Sequence, residues 1–167
     1  MKTIIKKAIA VFSALMIFGA GSIQTSGLSP VGRQKLLQER TFQIEGYYIT
    51  VTTFENINSL EVVPLANTFE KSGSKTYTAK NADKKTLFTF TVHGTFSVNK
   101  GVSASCKKAT CSYSIADSAW EKKSMSAACS GNKAIGNGEF IKKLLFITVD
   151  SLSPRVVLNC NNNGNLS

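Results

Sequence analysis

A chain of 167 residues suits a single domain, and a formal net charge of +10 turns it away from basic partners and towards anionic ones. Its hydrophobic fraction of 43% excludes a disordered polyelectrolyte, and its lone histidine excludes zinc sites built on paired histidines. What remains is a cationic globular protein whose four cysteines depend on the compartment it occupies.

The first residues indicate that compartment. Lys2, Lys6 and Lys7 form a positive start, residues 8–20 are apolar apart from Ser13 and Gly19, and Ala20-Gly21-Ser22 offers a small-residue cleavage site. This succession predicts a signal peptide over residues 1–22. The apolar run is shorter than the roughly 20 residues that span a bilayer. A secreted product, extracellular or associated with the cell wall, is therefore expected. Four cysteines in such a chain predict two disulfides rather than a zinc site, because only Cys106 and Cys111 lie close together.

Residues 23–40 carry Ser-Gly, Ser-Pro and Val-Gly breaks and then RQKLLQER, which reads as a flexible or short helical lead-in. A single β-domain is expected over residues 41–167. Phe42 and Ile44 share one phase while Tyr47, Ile49 and Val51 share the other, as in one strand that slips at a bulge or bend at Gly46. Leu60-Glu61-Val62 alternates ahead of Pro64, which confines that piece to a sheet edge. Residues 75–80 are then expected to turn at Asn81-Ala82-Asp83 and pair antiparallel with residues 87–98.

That stretch, LFTFTVHGTFSV, carries the strongest signal in the chain. Phe88, Phe90, Val92, Gly94, Phe96 and Val98 alternate with threonines, His93 and a serine, which is the period of a strand with one dry face and one wet face. After a turn at Asn99-Lys100-Gly101 the chain returns to Cys106. A four-residue loop from Lys107 to Thr110 would let Cys106 and Cys111 bridge across a hairpin. Trp120 is expected in the core, and Met125, Ala127 and Cys129 share an inward phase. After Ser130-Gly131-Asn132 turns the chain, Ala134, Gly136, Gly138 and Phe140 alternate. LLFITV is apolar on both phases and predicts a strand covered on both faces. Val156, Leu158 and Cys160 close the pattern ahead of a polar, frayed NNNGNLS end. Strand phase points to a second bridge, Cys129–Cys160, although the other two pairings of four cysteines stay open. Short strands with regular turns predict an all-β, disulfide-stapled β-sandwich, with an immunoglobulin-like form among its variants and a small barrel as second choice.

GTFSVNKGVSASCKKATCSYSIADSAW, SGNKAIGNGEF and the final LNCNNNGNLS resemble a group of small secreted proteins of Gram-positive bacteria. The shared pattern is a threonine- and aromatic-rich strand at Thr95-Phe96, a Cys-x4-Cys hairpin at Cys106 and Cys111, Trp120, and Cys-x-x-x-Gly-x-Leu-Ser from Cys160 to Ser167. The resemblance covers residues 76–167, implies a secreted β-domain, and implies no catalytic residue.

Chemistry is sparse. His93 lies on the wet face without a second histidine, and reads as a surface strand residue. Asp117, Glu121, Glu139 and Asp150 sit beside turns or lysines, with no spacing that promises a glycosidase pair. Gly131 to Gly138 lacks the Lys-Ser/Thr of a phosphate loop, so no cofactor is expected. Charge alone points to a partner. Lys84-Lys85, Lys107-Lys108, Lys122-Lys123 and Lys142-Lys143 are candidate contacts for an anionic wall polymer or membrane surface, and nucleic acid is not expected. A plain meander through the expected strands puts the first two pairs at one end and the last two at the other. The leading expectation is a non-catalytic domain acting at or near the cell envelope. A small secreted hydrolase and an antibacterial or host-directed effector are the alternatives.

Overall fold

The computed structural model describes residues 33–57 and 67–167. The expected signal peptide, residues 23–32 and the piece around Pro64 lie outside the described residues. The chain is built from strands around the alternating stretch. β4 (Thr86–Asn99) buries Phe88, Phe90, Val92, Phe96 and Val98 completely and leaves the threonine face half-buried. β3 (Thr68–Lys80) and β5 (Ser103–Ile115) flank it antiparallel, and β2 (Tyr47–Ile57) and β1 (Arg33–Ile44) follow outward in a five-stranded meander.

The second sheet has β7 (Lys133–Leu144) in the middle. β6 (Trp120–Ser130) pairs with one of its edges, while β8 (Ile147–Leu152) and β9 (Arg155–Asn159) share the other. Pro64 aside, the chain's clearest proline effect is here: Pro154 interrupts what is otherwise one strand, and its carbonyl accepts the Gly138 N–H at 2.9 Å across the break.

The two sheets pack face to face as a β-sandwich. Phe88 stacks on Phe140 with centroids 4.1 Å apart, and Trp120 plugs the core against Phe88 at 5.3 Å and Tyr47 at 5.8 Å. Each such buried side chain contributes about 1.5–3 kcal/mol by leaving water. The sheets approach so closely at Gly94 that an added Cβ would lie 2.9 Å from that of Ala134, and one at Gly136 would collide with a Val92 methyl. Alternation on β7 is thus as expected, with Ala134, Gly136, Gly138 and Phe140 all buried. Among the described residues the strand order is consecutive, with no crossed Greek-key connection of the immunoglobulin type.

Several local expectations are corrected. RQKLLQER is part of β1, not a helix, because it finds a full-length partner in β2; Leu37, at a bulge, packs against the core while Leu36 stays exposed. Gly46 is a hairpin turn rather than a bulge: Glu45 and Gly46 both take positive φ, 48° and 87°, and Ile44 pairs with Tyr47. No hairpin forms at residues 107–110. KKAT holds none of the residues that favour turns, and β4 offers an unbroken ladder, so β5 runs straight through with a bulge at Lys107. That bulge gives Cys106 and Cys111 the same inward face instead of opposing them across a loop.

The cysteine pairing changes accordingly. Cys106 joins Cys129 with Cα atoms 5.4 Å apart, and Cys111 and Cys160 are thiols, so neither Cys106–Cys111 nor Cys129–Cys160 forms. On the chain-entropy account, a bridge across a separation of 23 residues contributes about 3 kcal/mol. It staples the edge of the first sheet to the edge of the second, where Cys106 N–H also donates to Gly131 O at 2.8 Å. Edge position also exposes Met125 and Cys129, which were expected inside. The end of the chain is tied down rather than frayed. Asn161 Oδ1 accepts from the Asn163 and Asn165 amides at 2.9 Å each, Ser167 pairs with Asn159, and Leu166 is buried against Gly73.

Candidate functional site

Each turn from an odd strand to the next even one emerges at the same end of the sandwich. These are residues 45–46, 81–85, 116–119 and 145–146. Removing the expected hairpin at Lys107 exchanges the ends of every later strand, which corrects the division of the lysine pairs. Lys84-Lys85, Lys122-Lys123 and Lys142-Lys143 now gather at this one end, and Lys107-Lys108 lie nearer the opposite one.

The lysines are held differently. Lys84 takes a positive φ of 62° in its turn and sets Nζ over the Tyr48 ring at 5.9 Å. Lys122 Nζ lies 5.7 Å over Tyr113. Two members are already matched by carboxylates, Lys123 by Glu139 at 2.9 Å and Lys143 by Glu121 at 2.6 Å. Lys85 is exposed, and Lys142 is half-buried across from Trp120 and Asp150. Glu45, Asp83 and Asp117 share this end, so the lysines stand in a mixed field rather than a uniform one.

From this end projects the β7–β8 hairpin. LLFITV is not covered on both faces: Leu144, Leu145, Phe146 and Ile147 all point into solvent, with Leu145 83% and Phe146 97% exposed. Leu145 and Phe146 form a two-residue turn with φ of 46° and 70°, a conformation that normally selects Asn-Gly.

A second feature is a groove of about 750 Å³ between the inner face of β1–β3 and the β8–β9 edge. It exists because the first sheet is five strands wide, whereas beside β7 the second has only one neighbour on each edge. Phe42, Ile44, Val51, Tyr77, Leu152 and Val156 make it apolar. Lys75 also lines it, its ammonium held below the usual lysine range by burial and then by the nearby Arg40. Tyr47 donates a hydroxyl hydrogen bond to Asp150; burial first, and then that carboxylate, push Tyr47 up to about 12.

The residues weighed for catalysis do not converge. His93 is half-buried, with Nε2 3.0 Å from Ser112 Oγ, and burial holds it below the usual histidine range. Its register partners are Ser74 and Thr110, in an outer face where Thr41 meets Thr50 at 3.0 Å and Thr76 meets Thr91 at 2.9 Å. Glu121 and Glu139 are engaged with lysines, Asp150 with Tyr47, and Asp117 Oδ1 with the Ala119 amide at 2.9 Å. Among the described residues no three His, Cys, Asp or Glu side chains are grouped to hold a metal. In comparisons with protein-family models, curated proteins and solved structures, the chain matches none.

Proposed function

We propose that the protein is an exported, non-catalytic β-domain that acts at or near the cell envelope through one end of its sandwich. The observation that carries this reading is the gathering of three lysine pairs and a projecting apolar hairpin at that single end. A cationic face draws a domain to anionic polymers and headgroups, and local apolar surface converts attraction into residence. The disulfide supports export, since an oxidising compartment preserves such a bridge. The likeness to small secreted proteins of Gram-positive bacteria supports the same assignment.

The test is retention on purified cell envelopes, wall and membrane together, over a range of salt. The triple variant Lys84→Glu, Lys85→Glu, Lys142→Glu alters lysines that carry no ion pair among the described residues. Its retention is expected to fall about tenfold or more, since each charge near an anionic surface is worth about 1 kcal/mol. Retention indifferent to salt and to this variant would overturn the reading.

A further inference from the structure

The β7–β8 tip does nothing for the core. Its four apolar side chains point away from both sheets, and its turn places Leu and Phe where the backbone strongly favours Asn and Gly. A sequence selected only for folding would have a polar, glycine-containing turn here. Strain and exposed apolar surface at the same two residues mark a contact surface.

Its geometry matches one kind of partner. The crown from Leu144 to Ile147 is uncharged, and Lys142-Lys143 stand directly behind it, with Lys122-Lys123 on the neighbouring strand β6. At about 3.3 Å per residue, Lys143 and Lys142 lie roughly 7 and 10 Å behind Leu145 at the tip. An interfacial apolar element enters a bilayer by about 5–10 Å, so the crown would reach the acyl chains with the ammonium groups at headgroup depth. A protein partner would need a matching pocket for four side chains standing free on a hairpin; a lipid surface needs none.

We propose that the β7–β8 tip inserts into the outer layer of an anionic lipid bilayer, Leu145 and Phe146 entering the acyl region and Lys142 meeting the phosphate groups. This rests on the envelope reading and names lipid, rather than wall polymer, as the target.

The experiment is flotation of the purified protein, disulfide intact, with vesicles of phosphatidylcholine alone or mixed in equal parts with phosphatidylglycerol. In parallel, retention is measured on purified wall polymer. The double variant Leu145→Asn, Phe146→Gly removes the apolar crown while supplying the residues that the turn prefers, so its melting temperature should hold or rise. The expected result is salt-sensitive flotation with the anionic vesicles, reduced about tenfold or more in that variant. In Phe146→Trp, emission should shift to the blue on those vesicles and be quenched by brominated lipid. Absence of vesicle binding together with retention on wall polymer, unaffected by the tip variant, overturns insertion and leaves the envelope reading standing. Binding to neither overturns both. Self-association that disappears in the tip variant, without vesicle binding, would assign the tip to a second copy and overturn the proposal.

Discussion

Phe90 has no exposed surface, and its ring meets that of Phe140 across the two sheets with centroids 6.0 Å apart. Two positions along the same strand, Val92 closes against Gly136; one position further, His93 faces the opposite way and holds a single hydroxyl contact. Neighbours in sequence therefore carry very different energies. Phe90→Ala leaves a cavity between sheets that cannot close over it, and should cost about 3–5 kcal/mol in a denaturant melt. His93→Ala gives up one partly solvated hydrogen bond and should cost no more than about 1 kcal/mol. Equal losses in the two variants would show that the faces of β4 are not as distinct as their burial indicates.

At the level of elements, the legible parts were those where side-chain chemistry and backbone period agree. β4, the alternation of β7, the turns at Asn99–Gly101 and Ser130–Asn132, and the core position of Trp120 could all be read from spacing. What escaped depended on partners remote in sequence. RQKLLQER has helical composition and becomes a strand only because β2 lies beside it. The turn at Leu145-Phe146 is written in residues that give no turn signal, so an exposed hairpin looked like a buried strand. Cys-x4-Cys resembled a hairpin clasp until the bulge at Lys107 is taken into account, and one misplaced turn then sent the later lysines to the wrong end. The groove had no local signature, since it follows from unequal sheet widths. The pairing itself is open to direct measurement: non-reducing peptide maps should show Cys106 joined to Cys129, with buried Cys160 alkylated only as the protein is denatured and half-buried Cys111 before it. Burial holds both free thiols above their usual range, which slows labelling of the native state further. A Cys129–Cys160 peptide would contradict this arrangement.

Taken as a whole molecule, the sandwich is fastened unequally along its two sides. β5 is joined to β6 by a covalent bond and to the β6–β7 turn by a backbone hydrogen bond, whereas on the other side β2 and β8 meet through the Tyr47–Asp150 contact. The protein is thus bound like a book, with a sewn spine at Cys106–Cys129 and a clasp at the fore-edge. Thermal opening should swing about the spine, so Tyr47→Phe should speed amide exchange in β1, β2 and β8 about fivefold and leave β5 and β6 unchanged. Alkali should act on the same side. Tyr47 and Tyr77 are both raised from 10.0 to about 12, Tyr77 by burial alone, so the folded state keeps protons that the unfolded state releases. Their stabilisation is complete below pH 10 and drains away towards pH 12, and melts across that interval should show a smaller loss in Tyr47→Phe and Tyr77→Phe. Lys75 works in the opposite sense, its lowered value letting stability rise as pH approaches 10.5. A volume sewn on one side falls open at the other, and here the pages that part are the apolar walls facing Lys75.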